Sequence, residues 1–196
     1  MSVHKLVLLP ENPHTHLDNT GELAACLQAI GFIGEPNRCS HGIFYPTGAD
    51  FLQLVSFLGC SPMIELEPPT DAALLDAACA DASFCHIRLV HSDILQFRAD
   101  AQTRPPRCPQ CSQPQPDWRD PIDHWNNDPR QIAWSCASCD FCGELTALKF
   151  RRTAGFGKLF VEIRGIYPSE AVPVDTLLAA LASLTRDAWQ YIYIKE

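Results

Sequence analysis

Arg104-Pro105-Pro106-Arg107-Cys108-Pro109-Gln110-Cys111 and, further on, Ile132-Ala133-Trp134-Ser135-Cys136-Ala137-Ser138-Cys139-Asp140-Phe141-Cys142-Gly143 hold half of the ten cysteines in the chain. Each segment contains a C-x-x-C pair, and 24 residues separate Cys111 from Cys136. A C-x-x-C turn sets two sulfurs on one side of a tight bend, where backbone N–H groups can reach them. Two such turns face to face offer four thiolates in a tetrahedron, a ligand set that suits Zn2+. Pro109 presets the backbone of the first turn. Iron would take the same four sulfurs.

These residues resemble a zinc ribbon. The resemblance rests on Cys108-Pro109-Gln110-Cys111 and Trp134-Ser135-Cys136-Ala137-Ser138-Cys139, within residues 104–145. It implies knuckles at β-hairpin tips, with Cys108, Cys111, Cys136 and Cys139 as ligands of one structural zinc ion. The spacing exceeds the usual ~15–20 residues, so residues 112–135 are an elaboration. Cys142 leaves an alternative open: Cys139 and Cys142 also form a C-x-x-C pair, and Gly143 follows it, as glycine commonly follows a knuckle. The apolar lead-in Ile132-Ala133-Trp134 reads as the strand feeding a knuckle and favours Cys136 with Cys139.

A closed four-thiolate site has no position for a reacting water, so the expected metal is structural. A zinc deaminase would need a glutamate beside the first ligands, and residues 104–112 contain none. Neither pair sits between a strand and a helix, as thioredoxin-like chemistry requires. The four-cysteine run of iron–sulfur ferredoxins is absent.

Outward from the module, the chain reads as α+β: a mostly antiparallel sheet packed with helices, with the ribbon inserted. Residues 1–103 and 146–196 form the expected body, and 104–145 the insert. Strands are expected at 5–9, 63–67, 84–90, 145–150, 159–166 and 189–194, the last one interior because both its faces are apolar. Helices are expected after Thr20, over Phe51–Leu58, after Asp71 with Leu74, Leu75, Ala78 and Cys79 inward, and after Pro173 with Leu177, Leu178, Leu181 and Leu184 as the core stripe. Thr153–Lys158, with two glycines, reads as a hairpin turn. Cys26, Cys60, Cys79 and Cys85 sit amid apolar residues and read as core thiols.

Net charge is −8, but unevenly distributed: residues 98–164 carry ten Lys/Arg against eight Asp/Glu, and the flanking stretches are acidic. An acidic chain is not steered as a whole onto nucleic acid or an anionic membrane. The opening residues have too short an apolar run for a signal peptide, and no stretch approaches the ~20 apolar residues of a membrane span. Cytoplasmic location is the expectation, with the cysteines as thiols or metal ligands.

Three functions follow as expectations. The first is contact with another protein, with Trp118 and Trp125 of the long loop as anchors. The second is binding of RNA or single-stranded DNA through Lys149, Arg151, Arg152 and Lys158, with Phe150, Phe156 and Phe160 for stacking and Arg104 and Arg107 alongside. The third is an enzyme whose catalytic residues no motif reveals. His14 and His16 near Asp18, Asp123 and His124 in the long loop, and Cys39 near His41 read as ordinary polar positions. His86 reads as a satisfied strand residue, and Gly155-Phe156-Gly157-Lys158 lacks the full phosphate-loop pattern.

Overall fold

The computed structural model describes residues 3–58 and 64–196. Along the chain run β1 (His4–Pro10), α1 (Gly21–Ala29), β2 (Asn37–Cys39), β3 (Gly42–Pro46), α2 (Phe51–Leu54), β4 (Val55–Phe57), α3 (Ala72–Asp81) and β5 (His86–Arg98). Then follow α4 (Arg119–Asn127), β6 (Ala133–Ser135), β7 (Cys142–Glu144), β8 (Gly155–Arg164), β9 (Ala171–Pro173), α5 (Asp175–Thr185) and β10 (Trp189–Lys195). The fold is α+β. Six strands form one antiparallel sheet in the order β10-β1-β8-β5-β3-β2, and β4 with β9 and β6 with β7 form small ladders.

Alternation along the strands sorts the two faces of the sheet. Leu6, Leu8, Ile87, Val161 and Ile163 face α1 and α5, whose Leu23, Leu27, Leu177 and Leu181 complete the main core. On the opposite face Val7, Leu9, Phe160, Ile192 and Ile194 form a second cluster. Beside it α3 sets Ala78 and Cys79 against Cys39, Phe44 and Phe84. The same face carries buried charge. Lys5 lies 3.3 Å from Glu162 and 2.7 Å from Glu196, and Arg98 and Arg164 each lie 3.8 Å from Glu162. Three cations thus surround one buried carboxylate and balance its charge.

Several expectations need correction. The helix over Phe51–Leu58 is one turn, because Val55 and Phe57 leave it to pair with β9. Residues 64–67 form no strand, although Glu65 C=O accepts the Cys85 N–H at 2.6 Å; Pro62, Met63 and Cys60 lie outside the described residues. Leu74 is 62% exposed, since α3 packs through Ala78 and Cys79 instead. Leu145–Ala147 is a 3-10 turn rather than a strand start. Pro173 belongs to β9, and α5 begins only at Asp175.

The glycines of Thr153–Lys158 serve close packing rather than a turn. Gly155 opens β8, and a Cβ there would lie 2.8 Å from Leu9 Cδ1; one on Gly157 would press the Phe160 ring at 3.1 Å. β10 is an edge strand, not an interior one. Its apolar faces are both covered, and its outer backbone is fenced: Tyr193 N–H donates to Arg152 C=O at 3.0 Å and Lys195 N–H to Asp100 Oδ2 at 2.9 Å. Such fencing removes the hazard of an open edge.

His86 is fully buried between Phe44 and Phe84, with Nδ1 3.1 Å from Phe84 C=O and Nε2 unpaired among the described residues. Burial pushes its pKa down from 6.5 to about 4; the Phe84 carbonyl opposes this, and nearby Arg164, Arg88 and Lys5 reinforce it. The unfolded chain therefore takes up this proton first. Stability from this group is full above about pH 6.5 and is lost as pH falls towards 4, a drop on the order of 3 kcal/mol. Denaturant titrations of wild type and His86→Phe across that window should show a shallower acid loss in the variant.

Candidate metal centre

The two knuckles have the same backbone. In each, the first cysteine donates its N–H to the carbonyl five residues on: Cys108 to Gln113 at 3.0 Å and Cys136 to Phe141 at 2.8 Å. In each, the residue after the second cysteine donates back: Ser112 N–H to Cys108 C=O and Asp140 N–H to Cys136 C=O, both 3.0 Å. Ser112 and Asp140 are left-handed, at φ +59° and +55°. This is the conformation that makes glycine common after a knuckle. Here serine and aspartate adopt it, and short polar side chains bear it best among residues with a Cβ.

β6 and β7 flank the second knuckle, so the apolar strand does lead into Cys136. Opposite it, an antiparallel bridge from Arg107 to Pro114 closes the first knuckle. The four sulfurs of Cys108, Cys111, Cys136 and Cys139 lie within 4.8 Å of one another. Cys108 Sγ is 3.8 Å from Cys139 Sγ, and Cys111 Sγ is 3.8 Å from Cys136 Sγ. A tetrahedral ion with sulfur bonds of about 2.3 Å has edges of about 3.8 Å. The cluster could hold a metal ion. Among the described residues it is the only group of three or more histidine, cysteine or acidic side chains close enough to do so. Cys142 stands outside it, exposed, with its thiol 3.5 Å from Asp140 C=O.

The thiols do not ionise alike. Burial opposes ionisation of Cys136, but the Ser138 N–H and the neighbouring thiols outweigh it and bring its pKa down from 9.0 to about 6. At Cys139 the Phe141 N–H favours the thiolate, yet burial and the thiolate character of its neighbours together push the pKa up to about 12. Charge is favoured on Cys136 and resisted on Cys139, a condition that a bound cation would relieve.

Gln115 carries no sequence signal, since nothing in its neighbourhood marks it as more than a loop residue. Its side chain is nonetheless buried, and Nε2 donates to Cys136 Sγ at 3.4 Å and to Gln113 C=O at 3.0 Å. It both steadies the first knuckle and stabilises charge on the second.

Residues 112–135 are not a bare polar loop. α4 runs through them and turns Ile122 and Trp125 inward, where Trp118, Trp134, Leu145, Leu148 and Phe150 join them. Trp118 and Trp125 are only 3% and 4% exposed and so cannot serve as surface anchors. They pack on the sheet strands instead: Phe97 meets Trp118, and Phe156 meets Trp125, at centroid distances of 6.0 and 5.4 Å.

The candidate nucleic-acid residues divide. Arg151 and Arg152 line one cleft with Arg104; Lys149 lies beyond it, bridged to Arg107; Lys158 is half-buried on β8 and lines neither that cleft nor the adjoining hollow. Phe150, Phe156 and Phe160 are buried, so they offer bases no stacking surface. His14 and His16 are exposed on the first loop, and Asp123 and His124 lie on α4. Cys39 meets Gly42 C=O and Arg88, while His41 is exposed. Cys79 and Cys85 are buried and Cys26 half-buried.

Replacing Gln115 by leucine keeps its bulk and removes the donor. Metal affinity, measured by competition with a chromogenic chelator, should fall by about 10-fold or more.

No family model, curated protein or solved structure matches the chain, so the centre is read from its own geometry.

Proposed function

We propose that this is a zinc protein whose single ion is structural and whose metal module presents a surface to another protein. The supporting observation is the repetition of one knuckle backbone on both sides of the sulfur cluster. Two identical turns offer four sulfurs and leave no open position for a reacting water. Thiolate ligands and tetrahedral spacing favour zinc over harder cations. The ion would tie together a module whose backbone pairing is slight, the short β6–β7 ladder and isolated bridges, beside one small aromatic core. Structural zinc contributes roughly 10–16 kcal/mol in small modules of this kind.

For a protein partner the module offers a groove of about 610 Å³ beside the second knuckle. Exposed Pro114, Pro116, Ala133 and Ala137 line it, over the buried edges of Trp118 and Trp134. Its shape depends on both knuckles, which ties the contact to the metal.

Metal analysis of protein purified without a metal-binding tag should find one zinc per chain. Cys108→Ser and Cys139→Ser should lose it and Cys142→Ser should keep it. Chelation should shift tryptophan emission to the red, because three of the four tryptophans, Trp118, Trp125 and Trp134, pack in the module. A wild type without metal sinks the proposal, and iron in place of zinc corrects it.

The partner is tested separately. Ala133→Arg places a charge in the groove at an exposed strand position. It should abolish co-purification of the partner from cells of the source organism while zinc content stays at wild-type level. A partner that tolerates Ala133→Arg binds elsewhere.

A further inference from the structure

A cleft of about 500 Å³ runs along the outer edge of β10, within the size range of small-molecule sites. Arg104, Arg151, Arg152 and Lys195 line it, and Asp100 is the only carboxylate among its lining residues. None of the four cations has an ion-pair partner within 4.0 Å among the described residues. Asp100 is already engaged by the Gln102 N–H at 2.7 Å and the Lys195 N–H at 2.9 Å. In a chain of net charge −8, four unpaired cations converging on one concavity are not the default of a solvated surface.

The backbone is strained where these cations project. Arg151 and Arg152 are consecutive left-handed residues, at φ +49° and +65°. Side chains with a Cβ avoid this region, and a pair of them persists only where the surroundings hold it. Here the surroundings do. Arg152 C=O accepts the Tyr193 N–H at 3.0 Å, and the Arg152 guanidinium lies 4.2 Å from the Tyr191 ring centroid. Thr153 Oγ1 donates to Phe150 C=O at 2.6 Å, and Thr103 Oγ1 donates to Thr153 C=O at 2.9 Å. The loops that carry Arg104 and Arg151 are thus laced together before any ligand arrives, which lowers the cost of binding one.

We infer that this cleft binds a small molecule bearing two or more phosphate groups. Arginine forks match phosphate oxygens, and several cations in one cleft require several negative charges to balance them. Tyr193 is the one aromatic residue in the lining, half-buried with its hydroxyl donating to Ala171 C=O at 2.7 Å, and so small a stacking surface favours a small polyphosphate over a nucleic-acid strand. The inference is independent of which metal the cysteines hold and of any protein partner.

Isothermal titration of the full, metal-loaded chain at low salt would test it, with inorganic pyrophosphate, ATP and a single-stranded oligonucleotide as probes. Pyrophosphate and ATP should bind with one site per chain. Arg151→Gln combined with Arg152→Gln should weaken both by at least about tenfold. Arg104→Gln alone, at an exposed loop position, should weaken them measurably with metal content and circular dichroism unchanged, so a folding defect in the double variant would not decide the matter. Arg130→Gln, outside the cleft, should change nothing. No binding of either small phosphate, or binding that survives both the double variant and Arg104→Gln, would overturn the inference. Binding of the oligonucleotide alone would overturn the assignment to a small molecule.

Discussion

β5 and β8 pair from His86 with Arg164 out to Arg98 with Gly155, and the rest of the molecule is arranged around that ladder. One end lies in the centre of the six-stranded sheet, where Ile87 and Ile163 face the helices and Glu162 gathers its cations. The other end extends past the sheet and carries Phe97 and Phe156 into the aromatic core beside the cysteine cluster. A bulge between His91 and Gln96 separates the two stretches. Bulges bend strands and raise their twist, so the ladder can turn from one core to the next.

Much of this was legible in the sequence. The four clustered cysteines, the α+β class and the helices after Thr20 and Asp71 follow from local spacing, and Asp71 does cap its helix, whereas Thr20 makes no side-chain cap. The failures share a cause, which is tertiary pairing overriding local pattern. Phe51, Leu54, Val55 and Leu58 are spaced like one face of a helix, but the chain from Val55 to Phe57 finds a strand partner in β9. Gly155 and Gly157 look like turn residues because the sequence does not show Leu9 and the Phe160 ring pressing on them. The β2–β3 hairpin was invisible: Asn37–Cys39 is too short to display a period. At the cysteine cluster Gly143 pointed to Cys142, which stands outside it, since a glycine advertises left-handed backbone while Ser112 and Asp140 adopt it without announcing it. The tryptophans misled for a related reason: three in a polar segment suggest display, whereas α4 turns that segment into a packed wall.

Charge is sorted by depth. Lys5 and Arg164 are buried and Arg98 half-buried on the sheet face, where they neutralise Glu162 and are committed to the fold. Arg104, Arg151 and Arg152 are exposed at loop positions and have no such partner among the described residues. The distinction matters more than the total of −8, because a buried ion pair is fixed while an exposed, unpaired cation remains free to meet a ligand. Among the described residues no helix is long and apolar enough to cross a membrane.

The chain leaves for the cysteine-bearing insert and returns at adjacent points. Arg107 and Lys149 exchange both backbone hydrogen bonds, at 3.0 and 3.1 Å, as an antiparallel pair. A stem closed in this way is a natural splice point: what lies between its ends can be lengthened, shortened or exchanged over generations without moving the strands on either side. The backbone would permit even a short turn in place of the whole insert. Phe97 and Phe156 would not, for they would then face water. The module is transferable in its chain path but not in its packing, and any substitute for it must bring an apolar cover of its own.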